Sequence, residues 1–183
     1  MTDTDATPTT TGAEEVAWAV DTLVDGRGEQ GALELLDQAV ESARELAAVA
    51  KGRLGDADAA AIAGWLDHHA EIVDAVHRAG SYAQLRFSTD VADPERGALV
   101  ARFQERASEI EAELVWLELE WLAIDDDRAA TLLDDPALAA HRHHLDTARL
   151  RLPHVLSEPE EKLLATKAPT GRAAWVRLFT ELT

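Results

Sequence analysis

DPERGALVARFQERASEIEAELVWLELEW, residues Asp93 to Trp121, is the stretch that decides the fold. Its apolar positions Leu99, Phe103, Ala107, Ile110, Leu114, Leu117 and Trp121 recur in steps of three and four, which lines them along one face of an α-helix. The start is marked as clearly as the period. Asp93 suits the N-cap, Pro94 the first turn, and Glu95 the positive end of the helix dipole. Val115, Trp116, Leu119 and Leu122 widen the apolar face toward the far end, so that end is expected to be covered on more than one side.

The same period continues outward in both directions. Upstream, Leu33, Leu36, Val40, Ala43, Ala47, Ala50 and Leu54 predict a helix from Gly31 to Leu54, fraying at Gly52 and Gly55. Ile62, Leu66, His69, Val73, Val76, Gly80, Ala83 and Phe87 predict a second, opening at Asp56 or Asp58. Gly80 weakens that helix but lets a neighbour approach closely. Downstream, Asp135-Pro136 predicts a helix carrying Leu138, His141, Leu145, Ala148 and Leu152 up to Pro153. Ser157-Glu158-Pro159-Glu160 reads as a capping box opening a short helix through Leu163 and Leu164. A last helix follows Pro169-Thr170-Gly171 and carries Trp175, Leu178, Phe179 and Leu182. No segment reads as a strand. The expectation is an all-α protein, an antiparallel bundle of long helices with short C-terminal helices. Long helices of about 24 to 32 residues would span roughly 36 to 48 Å, and short connections between them impose antiparallel packing with crossings near about 20°. Residues 1–15, rich in Thr, Asp and Pro, have nothing to bury and read as a disordered tail; residues 16–183 read as one helical domain.

Composition narrows the function. Apolar residues make up 46% of the 183 residues, but aromatics only 5%, and alanine carries much of the remainder, which favours helix over strand. There are 17 basic and 35 acidic side chains, a net charge of −18. Such a surface repels phosphate backbones and anionic lipid, so neither nucleic acid nor membrane is an expected partner. The absence of cysteine removes disulfides, thiolate catalysis and cysteine-ligated zinc. The opening MTDTDATPTTTGAEE lacks the basic start and apolar segment of a secretory signal. A cytoplasmic location is the resulting expectation.

No complete active site is spelled out. A zinc peptidase helix needs His-Glu-x-x-His, and no histidine here is followed by glutamate. The inverted form fails at His68, because Ile72 stands where the second histidine belongs. Gly-x-Ser-x-Gly, the Walker loop and Gly-x-Gly-x-x-Gly are absent as well. Two weaker constellations remain. His141 and His144 lie on neighbouring helical faces and could share a metal, although His141 on its apolar stripe is better read as a hydrogen-bonded core residue. Asp74 and His77 loosely imitate half of a di-iron site, but no second pair exists. His69, polar on an apolar stripe, reads as a satisfied core histidine. Tryptophans 18, 65, 116, 121 and 175 read as core or interface. Catalytic, cofactor-binding and metal residues are therefore all expected to be none in this chain.

Three segments carry a resemblance. AWAVDTLVDG with Trp18 and Leu23, SYAQLRFSTDVADPE from Ser81 to Glu95, and LSEPEEKLLATKAPTGRAAWVRLFTEL from Leu156 to Leu182 resemble, in that order, the N-terminal domain of oligoendopeptidase F, an M3-family zinc metallopeptidase. In the last segment the paired glutamates before lysine, the Thr-Gly pair and the Ala-Trp followed by Leu-Phe carry most of the likeness. The resemblance implies a non-catalytic helical domain that packs on a separate catalytic domain and walls a channel for oligopeptides. It places His-Glu-x-x-His and the zinc beyond Thr183, so no catalytic residue transfers to this chain. The alternative is a standalone helical interaction module without enzyme activity, holding its partner near Val115, Trp116 and Leu119. The resemblance further leads us to expect an uncovered apolar patch at the last helix, including Trp175 or Phe179.

Overall fold

The computed structural model describes residues 17–182, so the tail expected over residues 1–15 lies outside the described residues. Three long helices form the body: α1 (Gly28–Ala50), α2 (Ala59–Thr89) and α3 (Pro94–Ala123). Each packs on the other two, and the short links between them make consecutive helices antiparallel. Four shorter helices follow, α4 (Asp126–Leu133), α5 (Arg142–Arg149), α6 (Glu158–Lys167) and α7 (Arg172–Leu182). Among the described residues there is no strand, so the fold is the all-α bundle that the periodicity implies.

The caps read from sequence are in place. The Asp93 carboxylate accepts from Glu95 N–H at 2.8 Å, and that of Asp58 from Ala61 N–H at 2.8 Å. Ser157 and Glu160 form the reciprocal capping box of α6, with Ser157 N–H donating to the Glu160 carboxylate at 3.0 Å. Gly80 does what a missing Cβ permits. A Cβ built there would stand 2.5 Å from Cζ of Phe103, so the ring of Phe103 occupies the space a side chain would need. This is the closest fit between α2 and α3 that the described glycines record.

One expectation fails. The single helix predicted from Asp135 through Leu152 is broken into a 3₁₀ turn at Pro136–Leu138, helix α5, and a second 3₁₀ turn at Leu152–His154. The two halves of that stripe serve different neighbours. Leu138 is fully buried in a turn that packs on α2, whereas Leu145 is buried on α5, which packs on α3. Helix α4 is an addition to the predicted set, opened by Asp125, whose carboxylate accepts from Arg128 N–H at 2.9 Å.

The buried side chains fall into two clusters. The larger joins Ala39 to Leu54, Ile62 to Ile72, and Ile110 to Ile124 with α4 and α5. The smaller joins Val24 and Ala32 to Leu36 with Ala79 to Phe87, Leu99 and Val100. The larger is closed by a clasp at the end of α3. Trp121 Nε1–H donates to Leu145 O at 3.0 Å. In return Arg149 donates to Trp121 O at 3.2 Å and Ile124 O at 3.0 Å, pairs with Asp126 at 2.5 Å, and stacks 5.7 Å from the Trp121 ring. Arg149 thus satisfies carbonyls that the helix end leaves without partners.

Helix α6 packs along α3, and α7 touches the start of α3. Glu158 at the start of α6 pairs with Lys51 at 2.5 Å. Ser108 of α3 donates to Ala165 O at 2.5 Å, and Gly97 near the start of α3 lies against the Arg177 guanidinium of α7.

Two substitutions test this packing by urea denaturation. Arg149→Ala strips donors from two buried carbonyls and should destabilise by about 2 kcal/mol. Gly80→Ala gains helix propensity but collides with Phe103, for a net loss of about 1–2 kcal/mol. In a Phe103→Leu background the collision is relieved, and the alanine should become neutral or stabilising.

Candidate functional site

Helix α7 turns its apolar side away from the bundle. Trp175, Leu178, Phe179 and Leu182 follow the helical period and share one face. Trp175 is 71% exposed, Phe179 68% and Leu182 77%. The half-buried positions of the helix are instead Ala173 and Arg177, one turn apart, and Arg177 lies against Gly97 of α3. Arg177 also pairs with Glu181 along the helix at 2.7 Å. Leu163 and Leu164 of α6 add to the uncovered apolar surface. A monomeric domain seldom leaves so many large apolar side chains together in water; such a surface marks an interaction site. Covering them would contribute roughly 1.5–3 kcal/mol for each side chain fully buried. This is the patch expected at the last helix, and Trp175 lies outside the core.

The other site of association read from sequence forms only in part. Trp116 is 1% exposed and belongs to the large core cluster, so it offers no surface to a partner, whereas Val115 and Leu119 are half-buried. Trp121 is likewise buried, while Trp18 is exposed.

The histidines are distributed one by one. Nε2 of His141 lies 2.9 Å from the Asp67 carboxylate, so His141 is a hydrogen-bonded residue, on a turn rather than in the core. His144, three residues on, is exposed. Nε2 of His68 lies 2.7 Å from Ser42 Oγ. Asp74 and His77 are both exposed on α2. His69 departs from expectation: it is half-buried and makes no hydrogen bond with the described residues. Burial, and secondarily the nearby His144, hold its pKa below the usual imidazole range. Among the described residues, no three His, Asp or Glu side chains converge to hold a metal ion. No described helix is long and apolar enough to cross a membrane.

The apolar face and the clasp both fall within one stretch, residues 120–183, that matches the family model described as oligopeptidase F, peptidase M3 N-terminal region. Over these residues the chain resembles the N-terminal domain of oligopeptidase F. The match takes in the end of α3 and all of α4 to α7, and with them the Leu156–Leu182 segment that carried the resemblance most strongly. It does not reach Ala17–Gly26 or Ser81–Glu95. No curated protein and no solved structure matches the chain.

Sequence reasoning placed Leu163 and Leu164 on a helix without seeing that they face outward. Their signal was available in the low amphipathicity of α6, whose apolar pair sits beside charged Glu161 and Lys162.

The shifted groups predict a two-stage response to acid. A histidine whose folded pKa lies below its unfolded one costs nothing above about pH 6.5, and stability falls as pH drops through that value, because the unfolded chain takes up the proton first. Asp93, Glu158 and Glu160 have lowered pKa values, held down by Glu95 N–H, by Lys51 and by Ser157 respectively. Their contribution is present above the ordinary carboxylate range of about 4 and is lost as pH falls through their folded values. Urea midpoints measured from pH 8 to pH 3 should therefore decline in two steps, and His69→Leu should remove the upper step alone.

Proposed function

We propose that this chain is the non-catalytic N-terminal domain of a zinc oligoendopeptidase, walling the peptide-substrate channel and packing on a separate catalytic domain. The observation that carries the reading is the outward apolar face of α7, lying inside the stretch that resembles oligopeptidase F. The missing His-Glu-x-x-His agrees with it, since the zinc and the general base then belong to the catalytic domain. In this reading the contribution of the chain is shape and field. It covers one side of the channel, and its net charge of −18 draws peptides with basic residues toward the opening. The resulting work is metalloprotease chemistry, a hydrolase reaction in the cytoplasm, performed on oligopeptides by the partner domain.

The same face would serve a standalone helical interaction module. That reading gains if the chain holds a partner through Trp175 and Phe179 for which no His-Glu-x-x-His chain competes.

The test mixes the purified chain with the catalytic segment of an M3 oligopeptidase and follows complex formation by sedimentation. A complex is expected, and the double substitution Trp175→Glu with Phe179→Glu should weaken it by about tenfold or more. Because the Trp175 side chain is exposed, Trp175→Glu alone should leave the urea stability of the isolated chain within about 0.5 kcal/mol of its original value. A double variant that pairs as well as the original, or a catalytic segment that does not bind at all, overturns the proposal.

A further inference from the structure

A cleft of about 420 Å³ opens between α2, α3 and α5, within the size range of small-molecule sites. Its walls are Val73 and Val76 of α2, Val115 and Leu119 of α3, and Val155 beyond α5. All five are only half-buried, although each is apolar, because the space they face is unfilled. The expected core stripe of α2 fails to close at this point.

The polar groups on the cleft define what it can take. Glu118 is held by Arg151 at 3.2 Å, so this pair contributes no net charge. Glu161 accepts from Leu156 N–H at 3.1 Å and has no cationic partner among the described residues. Glu111 is exposed and has neither ion pair nor hydrogen bond with the described residues. Two carboxylates are therefore uncompensated. Three imidazoles, His69 and His77 from α2 and His144 from α5, also face the cleft, and none makes a hydrogen bond with the described residues.

We propose that this cleft binds a small organic cation, an apolar body carrying one protonated nitrogen. The walls take the body, Glu111 and Glu161 balance the charge, and a neutral imidazole accepts an N–H from the ammonium group. Competing chemistries fit less well. An organic anion would meet two carboxylates, and the lone guanidinium there is already engaged by Glu118. A purely apolar ligand would strip water from imidazoles and carboxylates without replacing their hydrogen bonds. A bare metal ion finds no converging set of three donors among the described residues. The net charge of −18 raises the local concentration of cations at the opening. The inference is independent of the role assigned to α7.

Three probes of one shape and different charge decide the matter: tryptamine, tryptophol and indoleacetate. Each is titrated into the purified chain by calorimetry, with histidine ring and valine methyl resonances followed by NMR. Tryptamine should bind saturably, shift the signals of His69, His144, Val73 and Val115, and bind about tenfold or more tighter than the alcohol or the acid. Glu111→Gln, a surface change that leaves the thermal midpoint in place, should weaken tryptamine by about fivefold or more and leave tryptophol unchanged. Ala107→Phe, which fills the cleft, should abolish binding of all three; should that variant not fold, Glu111→Gln decides alone. Equal binding of the three probes, tighter binding of indoleacetate, no binding up to about 10 mM, or an unaltered tryptamine affinity in Glu111→Gln would each overturn the proposal.

Discussion

The constraint on which the structure turns is the buried end of α3. A helix that stops inside a core leaves carbonyls without donors, and water is not there to supply them. Trp121 and Ile124 are both buried where this happens. Arg149 reaches across from α5 to donate to both carbonyls, while the Trp121 indole donates back to α5 at Leu145 O. Each helix supplies what the other lacks. Helix α5 is therefore fixed in place, and the turn after it sets where α6 begins. The cleft wall at His144 and Ala148, and the path of α6 along α3, both follow from this exchange.

What could be read from the sequence is what local physics encodes. Asp93-Pro94, the Ser157–Glu160 box and the helical period of the three long helices are decided within a turn or two of helix, and they stand where the sequence places them. The bend between Leu138 and Leu145 depends on two different neighbours, α2 and α3, and such a demand leaves no mark in the stripe itself. The stripe of α7 looks like the stripe of α3. Only the packed structure shows that Trp121 is covered while Trp175 is not. His69 illustrates the same limit. Its position on the stripe of α2 was legible, but the cleft that leaves it without a hydrogen bond comes from helices distant in sequence.

The two surfaces with functional promise differ in kind. The face of α7 is convex and apolar, and it suits another polypeptide. The cleft is concave, with carboxylates and imidazoles along an apolar wall, and it suits a compact ligand. Most ion pairs of the described residues are exposed, such as Arg142 with Asp134 and Arg102 with Glu29, and exposed pairs add little to stability. The acidic excess is thus better understood as a field around the molecule than as a source of cohesion.

The division of the core into two clusters has a consequence for motion. Half-buried Ala75 packs against both, a small side chain at the waist of a long bundle. Cohesion is accordingly concentrated at two poles. The pole holding Tyr82, Phe87 and Leu99 lies beside the α7 contact at Gly97, whereas the pole holding the Arg149 clasp is remote from it along α3. The three long helices run through both poles, yet sub-cores with separate contacts can open with different free energies. A protein seated on α7 would stiffen the nearer pole and leave the farther one to its own rhythm.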